Sequence, residues 1–307
     1  MPRTAISVAL SFLLLCTLAT SELANPGDIA NPEFTRYWSQ GKGEITRYEL
    51  EQARYGEIRN GDAVLIFVTE DFLTEKQVKL ESPPEGRPWL PVLKLNFTKK
   101  FATGIYPYSM MTSVYSPIEV GEHPKTLKVS TSAQEWCGHV FTQLNLKGSE
   151  YRVEGRSYFE REGDQEFTLD AAMLEDEVWT RIRLSPAQLP VGKLRMIPGT
   201  MSVRLRHTGL DVEDAVAELT TIAADATGAP LSRYTITYPK DDRTLAIDFR
   251  TAFPHEITGW SETYMDGFGK DVKRLTTRAR RAQSIMLDYW NHHGTKDDSL
   301  RAVLGLP

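Results

Sequence analysis

Glu135-Trp136-Cys137-Gly138-His139 is the stretch of this chain richest in reactive side chains. Read as part of a strand, its side chains alternate between two faces. Glu135, Cys137 and His139 then share one face with Phe141 and Gln143, and Trp136, Val140 and Leu144 share the other. A carboxylate, a thiol and an imidazole in a row are the raw material of an activated thiolate, with His139 taking the proton of Cys137 and Glu135 polarising the site. They would equally supply a metal pair. Cβ atoms two apart on a strand lie about 6.5–7 Å from one another, so direct Cys137–His139 bonding needs favourable rotamers or a bulge. The competing reading is packing, because cysteine often behaves as a small buried hydrophobe.

A second group is aromatic and soft. Tyr106, Tyr108 and Met110 share one face of the stretch 105–115, and Met111 and Tyr115 share the other. With Trp136, the first face could line a cavity for an apolar ligand, or it could be sheet core. A third group is basic: Lys270, Arg274, Arg278 and Arg280 project together from a strand and would meet an anionic headgroup or water. His292-His293 sit about 100° apart on a helix, a poor chelate. No Gly-rich phosphate loop, serine nucleophile elbow or His-Glu-x-x-His motif occurs, so no cofactor or metal is expected.

The elements that must position these groups are mostly strands. Ala63–Val68 is a short apolar run, and Asn60-Gly61 before it has the residues of a tight hairpin turn. Val92–Phe97 and the stretch after Gly104 form a second hairpin. Further strands are expected at 126–132, 135–146 and 151–160, with Gly148 at a turn. Met201–Arg206, Tyr234–Tyr238 and Thr244–Phe249 alternate with period two, and Pro239–Arg243 is a polar turn. Residues 39–53 lean toward strand. Helices are few: 170–184, ended by Ser185-Pro186; a face of Ile285, Met286, Tyr289 and Trp290 stopped by Gly294; and a short last helix from Asp298 through Leu304. The expected fold is mainly β: a curved antiparallel sheet or half-barrel, or two stacked sheet units, with a few covering helices and a helix at the C-terminus.

Composition bounds the function. With 307 residues and 41% hydrophobic content the chain can bury a sizeable core. A net charge of −5 argues against a nucleic-acid binder held by phosphate neutralisation. Arg3 followed by the apolar run 6–19 and small residues reads as a secretory signal over residues 1–24, cut after Ser21 or Ala24. Residues 25–307 then form the exported part, as one domain or as two coupled halves near 25–150 and 151–307. Leu15 precedes Cys16 where a lipobox wants a small residue, which favours a soluble periplasmic product over an outer-membrane lipoprotein. Without residues 1–24 one thiol remains, Cys137, and no intrachain disulfide can form. No later segment is long and apolar enough for a transmembrane span.

Several stretches carry a resemblance: residues 37–45 (Tyr-Trp-Ser-Gln-Gly-Lys-Gly-Glu-Ile), 52–57 (Gln-Ala-Arg-Tyr-Gly-Glu), 67–72 (Phe-Val-Thr-Glu-Asp-Phe), 103–109 (Thr-Gly-Ile-Tyr-Pro-Tyr-Ser) and 134–140 (Gln-Glu-Trp-Cys-Gly-His-Val). Together they resemble an uncharacterised family of exported bacterial proteins, many of them lipoproteins, some labelled "septum formation inhibitor Maf". The Ser-x-Ser-x-Arg-Arg type motif of the cytoplasmic Maf nucleotide pyrophosphatases is absent here. The resemblance implies a compartment and no reaction. The strand pattern is similar to that of periplasmic lipid and lipoprotein carriers, an analogy of fold. The leading expectation is a non-enzymatic envelope protein that binds an apolar or amphiphilic ligand within a curved sheet, with a lipid or another envelope component as partner. The alternatives are an enzyme or metal site on Glu135, Cys137 and His139, and a structural interaction protein.

Overall fold

The computed structural model describes residues 32–306, so the expected secretory signal and Cys16 lie outside the described residues. The strands are β1 (Gly43–Arg54), β2 (Glu57–Leu73), β3 (Val78–Lys79), β4 (Trp89–Thr103), β5 (Tyr106–Pro117), β6 (Lys128–Glu135), β7 (Gly138–Lys147), β8 (Glu150–Ser157), β9 (Gln165–Asp170), β10 (Met173–Leu174), β11 (Gly192–Ile197), β12 (Glu213–Ile222), β13 (Leu231–Tyr238), β14 (Arg243–Arg250), β15 (Ile257–Asp266) and β16 (Lys273–Leu287). The α-helices are α1 (Pro32–Trp38), α2 (Glu175–Leu184), α3 (Thr200–Arg206) and α4 (Ser299–Val303). The mainly β, antiparallel expectation holds, and α4 is the expected short helix at the C-terminus.

All sixteen strands belong to one sheet, a meander from β11 to β16 joined through β16–β1 pairing to a meander from β1 to β9. Only the short β10–β11 pair is parallel. The sheet stays open between β9 and β10, its two ends. Yet only Ala171 and Ala172 separate those two strands in sequence. Three Cα steps span at most about 11 Å, so the edges must approach each other there and the sheet must curl almost into a barrel.

Helix α2 fills the inside of that curl. Every residue from Glu175 to Arg183 is buried. Trp179 meets Phe97 and Trp260 edge-on, with the three ring centroids 5.1–5.3 Å apart. Such contacts add to the stabilisation from apolar burial. The charges of α2 are answered by the strands. Arg183 donates to both oxygens of Glu44 at 2.6 Å, and Arg243 donates to both oxygens of Glu175 at 2.6 Å and to Glu262 at 2.7 Å. Glu177 accepts the Thr126 N–H at 3.1 Å. The interior therefore carries a layer of paired charge between apolar layers.

Three local expectations fail for identifiable reasons. Asn60-Gly61 is not a turn: it lies inside β2, and Tyr55-Gly56, both with positive φ, make the β1–β2 turn. At Gly61 a Cβ would stand 2.2 Å from the Lys100 carbonyl oxygen, so glycine serves the close approach of β4 rather than a turn. Gly61→Val should cost about 1–3 kcal/mol of stability by overpacking, read as a lower urea midpoint with unchanged slope. Met201–Arg206 is helix, because Met201 and Leu205 bury on one helical face while the period-two pattern is too short to decide. Residues 285–287 continue β16, paired with Gly43–Ile45, and only Tyr289–Asn291 turn helical, as a short 3-10 segment. By contrast 104–105, 148–149 and 239–242 are turns as expected, and Ser39–Ala53 becomes β1 from Gly43. The basic row Arg274, Arg278, Arg280 is exposed, and the register sets Arg278 and Arg280 opposite Glu51 and Glu49.

Candidate functional site

Alternate connections of an antiparallel meander lie at the same end of the sheet. The Tyr55-Gly56, Gly104-Ile105 and Trp136-Cys137 turns, the 158–164 loop and the 267–272 loop therefore share one rim. This rim is unusually apolar for a set of turns: Ile105, Trp136, Tyr158 and Phe268 are each more than 60% exposed. Trp136 stacks on Tyr106, and Phe268 lies against Tyr55.

The rim breaks up the expected Glu-Cys-His face. Glu135 ends β6 and Gly138 begins β7, so Trp136-Cys137 is a two-residue hairpin loop and not strand. Glu135 turns into the sheet interior and is buried, and its Oε2 accepts the Cys137 N–H at 2.7 Å. His139 sits opposite Gln134 on the outer, exposed face. The imidazole and the thiol are thus not aligned. Cys137 is exposed, and its thiol hydrogen-bonds to Glu135, which pushes its pKa up, the wrong direction for a nucleophile. In the folded protein the thiol should react with iodoacetamide without unfolding, but with a pH midpoint above that of a free thiol. Glu135→Gln should bring the midpoint down. Rapid labelling near pH 6 would restore the nucleophile reading.

Tyr106, Tyr108 and Met110 do share the inner face of β5, but Tyr108 and Met110 are only 2% and 1% exposed. That space is core, with Tyr108 stacked on Phe101. The expected ligand cavity is therefore not there. Instead the tyrosines build a hydrogen-bonded group around Arg54. Its guanidinium donates to the hydroxyls of Tyr55 and Tyr108 and to the Leu205 carbonyl, and it stacks 4.1 Å over the Tyr55 ring. The Tyr55 hydroxyl also meets those of Tyr108 at 2.7 Å and Tyr106 at 3.2 Å. These bonds hold Tyr55 in its left-handed backbone conformation, which a non-glycine residue adopts only when its surroundings impose it.

Beside this group α3 ends in His207, also left-handed. His207 Nδ1 stands 2.7 Å from Glu162 Oε1, and its Nε2 faces Arg204 at 3.2 Å and Arg54 at 3.4 Å. Arg204 Nη1 also lies 3.1 Å from Nδ1, so the ring edge faces the Arg204 guanidinium while Nδ1 makes its shortest contact with Glu162. Burial holds the pKa of His207 below the usual histidine value. Glu162 accepts the Ser157 hydroxyl at 2.6 Å as well. The Phe159 ring lies 4.5 Å from the Arg204 guanidinium.

Arg204, His207 and Glu162 form the polar corner of a cavity of about 480 Å³ between α3 and strands β7–β9. Val140, Val153, Phe159, Phe167 and Leu210 supply its apolar wall, and Phe268 carries it to the rim. The sequence singles out none of these as functional. Reading 201–206 as a strand separates Arg204 from His207, which only a helix brings together across one turn. Among the described residues no three His, Cys, Asp or Glu side chains are grouped to hold a metal ion. Comparison with protein-family models, curated proteins and solved structures finds no match for this chain.

Proposed function

We propose that this chain is a non-enzymatic extracytoplasmic envelope protein that binds an apolar or amphiphilic ligand. The single observation that carries this reading is the lateral cavity, with an apolar wall, a charged corner and an opening toward an apolar rim. A pocket of a few hundred Å³, mostly apolar with a few convergent polar groups, is the usual form of a small-molecule site. The exposed Trp136, Tyr158 and Phe268 support the same reading, since large aromatic side chains at a pocket mouth suit an amphiphile entering from a lipid surface. The enzyme reading loses its support with the thiol and imidazole apart.

Gly155 offers a clean test. It lines the cavity on the same strand face as Val153, and a Cβ there would meet nothing closer than 3.8 Å. Gly155→Phe should therefore fill the cavity without disturbing β8. Binding of the neutral fluorophore N-phenyl-1-naphthylamine should weaken by at least about tenfold, or about 1.4 kcal/mol, with the melting temperature unchanged. Undiminished binding in this variant would remove the cavity from the function.

A further inference from the structure

Among the described residues five arginines are buried: Arg54, Arg181, Arg183, Arg204 and Arg243. Two are saturated, Arg183 and Arg243, each gripping a carboxylate with two short bonds. Arg204 is different. It is 7% exposed, lines the cavity, and its Nε has no hydrogen-bond partner. Its nearest carboxylates, Glu135 and Glu162, stand off at 3.6 Å. Its remaining contacts are the His207 ring and the face of Phe159. Arg54 close by has no carboxylate bond at all, only phenol hydroxyls and a carbonyl, with the His207 ring at longer range. A guanidinium presents its donors in a planar fork that matches an oxyanion, and a buried donor left unpaired is costly.

Resting on the binding reading above, we propose that the ligand is a single-chain amphiphile with an anionic oxygen headgroup. Its oxyanion binds Arg204, with Arg54 and His207 beside it, and its chain lies against Phe159, Phe167 and Leu210. Glu162 is then a placeholder. It sits on the 158–164 loop, holds the corner through His207 and Ser157, and gives way to the headgroup. A carboxylate and a phosphate monoester share this chemistry.

Calorimetric titration of the native protein with dodecanoate, dodecyl phosphate, monododecanoylglycerol and dodecyltrimethylammonium, all below their micelle concentrations, tests it. Both anionic chains should bind at least about tenfold tighter than the neutral and cationic ones, and the ratio of the first two identifies the headgroup. Arg204→Gln should erase that preference and leave neutral-chain binding in place. Glu162→Gln should tighten the anionic chains by several-fold, whereas a structural role for Glu162 would weaken every ligand. Equal binding of all four chains to the native protein overturns the headgroup assignment alone, and so does a preference that survives Arg204→Gln. Failure of every chain to bind overturns the cavity reading with it. The native-protein comparison decides the question even if Arg204→Gln does not fold.

Discussion

Arg243→Met should destabilise the protein by about 3–5 kcal/mol, the largest single effect expected outside the aromatic core. Arg243 is 1% exposed and holds two buried carboxylates, Glu175 from α2 and Glu262 from β15. Methionine fills much of the volume but leaves both acids without their cation. The cost is mainly that of stranded charge, not of a lost attraction, because a buried pair gains little net energy over apolar side chains. Lys99, buried and electrostatically coupled to the same carboxylates, offsets only part of the loss. Its own amine is pushed toward the neutral form by burial. The explanation makes a second demand. Arg243→Met combined with Glu175→Gln and Glu262→Gln should recover most of the stability, since neither acid is then left without its cation, and Lys99 keeps Asp176 and is already pushed toward its neutral form by burial. Urea unfolding followed by circular dichroism at pH 7 measures both variants. A loss below about 1 kcal/mol in the single variant, or no recovery in the triple one, would show that the layer of paired charge does not hold α2 inside the sheet.

That layer also explains what the sequence does and does not disclose. Strands were legible where alternation was bounded by a polar turn, as in Tyr234–Tyr238 and Thr244–Phe249 on either side of 239–242, whereas the equally long alternation of Met201–Arg206 belongs to a helix. The place of α2 was not legible. Its sequence, Glu-Asp-Glu-Val-Trp-Thr-Arg-Ile-Arg-Leu, carries no local sign of burial because half its residues are charged. It is buried because Arg243 and Glu44 on strands, and Thr126 in the loop before β6, wait for those charges far away in sequence. No local window contains that information. The same is true of the site. Glu135-Trp136-Cys137-Gly138-His139 draws the eye by side-chain type, but a two-residue turn divides it, while Arg54, Glu162, Arg204 and His207 come from three separate places: the end of β1, the 158–164 loop, and α3 with its cap. Of the expected ligand-binding residues, Tyr106 and Trp136 stack at the rim of the site, Tyr108 reaches it through its hydroxyl on Arg54, and Met110 is core. The local signal that would have pointed there is Gly209, three residues past α3, a chain breaker close after the left-handed His207 cap.

Asp176→Asn should do the opposite of Arg243→Met and stabilise the fold, and only at neutral and alkaline pH. Asp176 lies one residue beyond Glu175 on α2, and its Oδ2 accepts the N–H and the hydroxyl of Thr200 at 3.0 and 2.8 Å. Burial pushes its pKa up to about 6, and neighbouring Glu175 adds to the rise; the Thr200 bonds and Arg243 pull the other way but do not cancel it. The folded state therefore holds this proton more tightly than the unfolded chain does. Below pH about 4 both states are protonated and the residue costs nothing. Between about pH 4 and 6 the unfolded state ionises first, and stability falls by about 1.4 kcal/mol per unit, to a plateau of about 3 kcal/mol above pH 6. Asparagine keeps a carbonyl oxygen for Thr200 and removes the ionisation, so the variant should gain about 2–3 kcal/mol at pH 8 and almost nothing at pH 4. Glu262 runs in the reverse sense. Burial alone would raise its pKa, but Arg243 and Lys99 hold it down to about 2, so its contribution is present above about pH 4.5 and is lost as pH falls toward 2. That loss is common to both proteins and drops out of their difference, as do the contributions of His207 and His255. Denaturant midpoints of the pair at pH 4, 6 and 8 give the difference directly. A gain that is the same at pH 4 and pH 8 would be packing and not charge, and a loss at pH 8 would mean that the ionised Asp176 is needed to anchor the start of α3.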